Sequence, residues 1–235
     1  MKFIIARIKH FFYNKLIPAT IFKNTWRERM SRQEFYFEAF RALAFNGIDG
    51  EYVEFGSCGG KTFSMAYHHS RRQKLPLSLW SFDSFEGLPT TEEVSDIHPR
   101  WVGGTMKTGL SDFHSICKAN GIPEDRYHVV SGFYDHTLPK FSPTDEPKNI
   151  CLAYIDCDLY SSTKTVLEFL ESRIKHGMII AFDDYYCWSK TDISGERKAM
   201  LEFLEKNSQW QLVPYMKFGW AGMSFVVEVV RPELK

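Results

Sequence analysis

Residues 149–186 read NICLAYIDCDLYSSTKTVLEFLESRIKHGMIIAFDDYY. An apolar run, an amphipathic stretch of helical period and a second apolar run give strand, helix, strand. Each strand ends in acids: Asp156 and Asp158 after the first, Asp183 and Asp184 after the second. If the two strands are parallel and the helix joins them, both ends open on one sheet edge, where α/β proteins bind ligands. Carboxylates gathered there repel one another unless a cation or a proton lies between them. The stretch therefore points to an enzyme of α/β class.

Working toward the N-terminus, EYVEFGSCGGKTFSMAYHH (51–69) is a strand, a glycine-rich turn and a helix. Gly56, Gly59 and Gly60 allow a sharp turn and a close backbone approach at a helix N-terminus. The next strand, LPLSLWSFD (75–83), ends in Asp83, 27 positions after Gly56. An acid just past the second strand is the expected partner of ribose hydroxyls. A third strand, RYHVVSG (126–132), brings Gly132, Phe133 and Tyr134 to the same edge, where Phe133 can stack on a flat ring. The turn and strand ends supply the cofactor candidates Glu54, Phe55, Gly56, Ser57, Thr62, Asp83, Ser84, Phe85, Gly132, Phe133 and Asp156.

Two cofactor classes compete for this turn. A pyrophosphate wants GxGxxG and a positive field, whereas here the spacing is GxxGG and Glu54 closes the first strand with four more acids nearby. An acidic edge suits a cofactor without phosphate and with a positive centre, S-adenosylmethionine, whose ribose diol matches Asp83. The acids at 156, 183 and 184 form a hard-oxygen set for Mg²⁺. Such an ion acidifies a substrate hydroxyl, and an adjacent carboxylate can take its proton as base. Asp158, beside LYSST, reads as a helix N-cap.

Residues 90–110, TTEEVSDIHPRWVGGTMKTGL, have no clean period, and a loop of that length in a domain of this size points to a lid over substrate. His98, Arg100 and Trp101 lie in it; with His136 and Tyr185, His98 and Trp101 are the acceptor-side candidates. SRQEFYFEAFRALAFN (31–46) opens with a Ser31–Glu34 capping box and predicts a helix stopped by Gly47. GERKAMLEFLEK (195–206) is a further helix, and QWQLVPYM with MSFVVEVV a closing hairpin. The total is about seven strands.

In order, EYVEFGSCGGKT, SFDSFEGLP, YIDCDLYSST and IIAFDDYY resemble the macrocin and mycinamicin O-methyltransferase family, over roughly residues 31–230. The resemblance implies a class I, Rossmann-like fold: a seven-stranded, mostly parallel sheet with an antiparallel last strand, helices on both faces and additional N-terminal helices. It also implies S-adenosylmethionine and Mg²⁺ as cofactors and a sugar hydroxyl as acceptor. Glu54 and Asp83 match the cofactor acids, and Asp156, Asp183 and Asp184 match the metal ligands, with the Asp183 position also implied as the catalytic base. Members of that family oligomerise, which implies a homo-oligomer, dimer or larger. The lid and the N-terminal helix depart from the family pattern, so the macrolide acceptor is not carried over.

The bulk numbers bound the rest. The chain has 235 residues, 44% hydrophobic, and suits a single α/β domain over 31–235 behind an N-terminal extension, 1–30. With 29 basic and 29 acidic residues the net charge is zero, which gives no field for nucleic acid. Five scattered cysteines without a CxxC pair indicate reduced thiols and a cytoplasmic location. No apolar run is long enough to span a membrane.

Residues 1–23 carry five Lys or Arg and no acid, with Met1, Ile5, Ile8, Phe12 and Leu16 on one stripe and Pro18 as a stop. That pattern fits a helix packed on its own domain or a second copy, or a peripheral membrane contact. GxSxG and HExxH are absent, and a glycosidase needs neither the glycine turn nor Asp83. An N-methyltransferase on an amino sugar, a non-catalytic cofactor-binding scaffold and a nicotinamide-dependent oxidoreductase are the alternatives.

Overall fold

In the computed structural model, residues 19–231 are described, with side chains from residue 25 onward. The stripe Met1, Ile5, Ile8, Phe12, Leu16 and the stop at Pro18, with the membrane contact and packing attached to them, lie outside the described residues. Among the described residues, no helix is long and apolar enough to cross a membrane.

Helix α1 (Ala19–Asn46) is continuous over 28 residues. The helix expected to start at Ser31 therefore starts earlier, and a boundary at residue 30 would cut through it. Ser31 is not a cap: its Oγ accepts the Gly219 N–H at 2.9 Å, a tertiary contact that occupies the hydroxyl. Phe35, Tyr36, Ala39, Phe40 and Leu43, one helical stripe, are all buried.

The remaining elements follow as β1 (Glu51–Phe55), α2 (Lys61–Arg72), β2 (Leu79–Asp83), α3 (Leu110–Ala119), β3 (Tyr127–Ser131), α4 (Tyr134–Thr137), β4 (Ile150–Ile155), α5 (Tyr160–Glu171), β5 (Ile179–Phe182), α6 (Gly195–Lys206), β6 (Trp210–Phe218) and β7 (Gly222–Val229). The sheet order is β3-β2-β1-β4-β5-β7-β6. Strands β3, β2, β1, β4 and β5 pair in parallel, while β7 runs antiparallel to both β5 and β6. This is the seven-stranded sheet with an antiparallel last strand that the sequence led us to expect.

Alternation along β1 sends Tyr52 and Glu54 to one face and Val53 and Phe55 to the other. On the first face α1, α2 and α3 build a core around Tyr36, Phe40, Tyr52, Phe63, Phe113, Tyr154 and Phe218. On the second, α5 and α6 cover Phe55, Phe82, Ile155, Phe182 and Phe225. Strand β4 is buried at all six positions, as a central parallel strand covered on both faces must be. Burial on both faces fixes the strands, so their carboxyl ends form one rigid edge.

Candidate active site

A cavity of about 740 Å³ opens on that edge, within the size range of a small-molecule site. The turn after β1, the ends of β2, β3 and β4, the loop after β2 and the start of α5 line it. Of the cofactor candidates, Gly56, Asp83, Ser84, Phe133 and Asp156 face it.

Asp83 is fixed from two sides. Its carboxylate accepts the Ser57 N–H at 2.6 Å and the Phe85 N–H at 2.6 Å. Burial raises its pKa, and these two amides oppose the rise. Each oxygen accepts one of these bonds and keeps a lone pair, and the residue lines the cavity, which suits a diol. Ser57 and Phe85 thus act through their amides rather than as lining side chains. Phe55, Thr62 and Gly132 also stay out of the cavity wall; Phe55 stacks on Phe82 with centroids 5.0 Å apart.

Glu54 differs most from expectation. It is fully buried on the α1 face, held by the Tyr52 hydroxyl and, at 3.0 Å, by Thr62 Oγ1. Burial pushes its pKa up to about 8 despite those bonds. Strand alternation turns it away from the cavity, an outcome the position "last acid before the glycine turn" does not reveal. Gly56 is also needed for a reason other than ligand approach. Its φ is +92°, and a Cβ there would lie 2.0 Å from the Asp156 carbonyl oxygen. The glycine lets β1 and β4 end side by side.

The acids at the ends of β4 and β5 divide in an unexpected way. Asp183 is gripped by α1: Arg32 Nε donates to Oδ1 at 3.0 Å and Nη2 to Oδ2 at 2.7 Å, while the Tyr154 hydroxyl also donates to Oδ1. Burial alone would lower the Arg32 pKa, but the bond and charge of Asp183 carry it above its ordinary value. Both Asp183 oxygens are thereby engaged. Asp156, Asp158 and Asp184 instead bring one oxygen each to within 4.8 Å of one another.

Asp158, read from sequence as a cap, is not one. Leu159 occupies the N-cap position of α5, and Asp158 has φ +62°, a left-handed conformation that Asp tolerates better than most residues. Its side chain faces Asp184 and Trp101 of the long loop, and burial followed by the Asp184 charge lifts its pKa to about 9. Asp156 rises well above its usual value through burial and then the charges of Asp183, Asp184 and Asp158; Asp184 rises through burial and then Asp183. Three hard-oxygen donors whose charges are uncompensated fit a divalent cation such as Mg²⁺.

Residues 84–109 hold no helix longer than one short turn, Val94–Asp96. The loop is nonetheless pinned. Asp96, 2% exposed, accepts Ser161 N–H at 3.0 Å, Ser161 Oγ–H at 2.5 Å and Thr91 Oγ1–H at 2.9 Å. An acid at the first turn of α5 is favourable for the helix dipole as well. The His98 and Trp101 rings meet at a tilt of 34° with centroids 4.1 Å apart, and Trp101 faces Asp158. Of the acceptor-side candidates, His136 lines the cavity; Tyr185 lies half-buried beneath Arg197, 5.4 Å from its centroid.

Arg32, Tyr154, Asp96 and Glu196 were not singled out by sequence. Arg32 reads as a solvated charge on a helix, and Asp96 as one more acid in a polar loop. Only their distant partners distinguish them.

The model of the macrocin-O-methyltransferase (TylF) family matches residues 17–208. Over 146 residues the chain is 28% identical to 8-demethyl-8-(2,3-dimethoxy-alpha-L-rhamnosyl)-tetracenomycin-C 4'-O-methyltransferase of Streptomyces olivaceus. That match takes in 60% of this chain and 54% of the relative, so the chain spans about half the length of the curated relative it matches. Among solved structures, the O-methyltransferase NovP superposes with a TM-score of 0.70 at 20% identity, covering 85% of this chain and 80% of NovP. The calicheamicin methyltransferase CalS11 gives 0.69 at 23% identity, over 94% and 90% of the two chains. At these identities the likeness concerns the fold.

Proposed function

The chain belongs to the macrocin-O-methyltransferase family, and on that premise we propose that it is an S-adenosylmethionine-dependent, metal-assisted O-methyltransferase acting on a hydroxyl of a sugar or glycosylated small molecule. The sugar acceptor is supported by the rhamnosyl 4'-O-methyltransferase among its relatives. The observation that carries the metal-assisted part is the carboxylate trio at 156, 158 and 184, beside a cavity that also holds Asp83.

Asp83 binds the ribose diol, and Phe133 offers a ring at the end of the cavity formed by β3. The cofactor supplies an electrophilic methyl group on a sulfonium. Asp156, Asp158 and Asp184 would hold Mg²⁺, which when bound would make a substrate hydroxyl more acidic. A base must have a free lone pair at the cavity and a pKa near the working pH. Asp183, the base expected from sequence, has both oxygens committed to Arg32 and Tyr154. We therefore leave Asp183 as the anchor of α1 and keep Asp158, which lines the cavity, as a ligand of the ion. The loop 84–109, pinned by Asp96, excludes water from the cavity mouth.

The test is methyl transfer to a panel of sugar nucleotides and glycosides, read as S-adenosylhomocysteine release with and without EDTA. Activity lost in EDTA and restored by Mg²⁺ supports the reading; activity indifferent to chelation points to metal-free methylation of an amino sugar. Asp158→Asn, which weakens one ligand of the ion, is expected to lower turnover about tenfold or more while S-adenosylmethionine affinity stays within several fold. Unchanged turnover in that variant would take Asp158 out of the cation site.

A further inference from the structure

Glu196, in the first turn of α6, is fully buried although it is ionisable. Its Oε1 accepts the Cys157 N–H at 3.2 Å and its Oε2 accepts the Asp184 N–H at 2.9 Å. These two amides belong to the two strand ends that carry the acid trio. Cys157 stands between Asp156 and Asp158 after β4, and Asp184 follows β5. A single side chain therefore ties both arms of the trio together from behind. Gly195 makes this possible: its φ is +57°, and a Cβ there would meet the Asp158 carbonyl oxygen and Trp101 Cη2, each at 3.3 Å.

We propose that Glu196 is a positioning residue of the cation site. It fixes the separation between the Asp156–Asp158 arm and the Asp184 arm, so that a divalent cation meets preformed ligands. It does this without itself touching the ion. Outer partners that orient ligands in this way commonly change metal affinity 10–100-fold when removed. Gln cannot replace it, because the amide presents one acceptor and one NH₂, and the NH₂ would face a second N–H donor. An ordinary buried carboxylate that merely satisfied two amides would leave cation affinity untouched. The inference rests on the reading that Asp156, Asp158 and Asp184 hold the ion.

The experiment is calorimetric titration of the full chain with Mn²⁺, together with S-adenosylmethionine binding and thermal melting, on wild type, Glu196→Gln and Glu196→Asp. The expected result is one Mn²⁺ site in wild type, weakened at least tenfold in Glu196→Gln, and less in Glu196→Asp, which keeps a carboxylate. Cofactor affinity is expected to stay within about twofold in both variants. Mn²⁺ affinity within twofold of wild type in Glu196→Gln would overturn the proposal while sparing the cation site. Wild type that binds no Mn²⁺ would overturn the cation reading itself. If both variants lose cofactor binding and cooperative melting, Glu196 is a folding residue and the proposal also falls.

Discussion

Asp183 and Asp184 are neighbours in sequence and opposites in circumstance. One faces a guanidinium and a phenol; the other faces two carboxyls. Successive residues leaving a strand point to different sides, so adjacency in sequence does not give a shared site. Glu54 illustrates the same rule and carries a pH prediction. Its folded pKa of about 8 lies above the unfolded value of roughly 4.3, so the folded state binds the proton more tightly. The stability it contributes is full below about pH 4 and is lost as pH rises toward 8, by up to about 1.4 kcal/mol per unit. Glu54→Gln has no such titration. Urea melts from pH 5 to 8 should show a flatter slope in the variant, and equal slopes would contradict the buried, protonated state. Asp83→Ala removes a charged acceptor and is expected to weaken S-adenosylmethionine tenfold or more by calorimetry; unaltered affinity would take Asp83 out of the ribose site.

At the scale of elements, two contacts decide how helix and loop meet the sheet edge. Arg32 joins α1 to the end of β5, with side chains only 19% and 12% exposed across the pair. Removing one partner of such a pair strands a buried charge, so Arg32→Met should cost about 3–5 kcal/mol in urea denaturation. The double variant with Asp183→Asn should lose less than the sum of the single losses, because no charge is then left alone. Asp96 does the corresponding work for the loop. Asp96→Ala should open residues 84–109 to limited proteolysis and raise the acceptor KM about tenfold, with cofactor affinity unchanged. An acceptor KM that stays constant would mean the loop does not cover the substrate. The loop was recognisable in sequence from its missing period, and its pin was not, because Ser161 lies 65 positions away.

At the scale of the molecule, a chain of zero net charge concentrates negative charge on one edge of its sheet. Mg²⁺ at 100-fold its Kd should therefore raise the melting temperature by on the order of 5–10 °C, from about 2.7 kcal/mol of linkage, and EDTA should reverse the shift. A melting temperature indifferent to both would leave the acid trio without its cation. By itself the sequence determined the strand–helix alternation, the closing hairpin, the glycine turn, Asp83 at the end of β2 and the presence of acids at two neighbouring strand ends. Those follow from periods of 2 and 3.6 and from turn chemistry, which are local. Only the tertiary structure decided that α1 runs unbroken through Ser31, that Glu54 turns away from the cavity, that Asp158 rather than Asp183 completes the trio, and that Glu196 stands behind it. The place of Glu54 depends on which face of β1 the helices cover, and the others depend on contacts between elements far apart in sequence, which leave no mark on the periodicity of either partner.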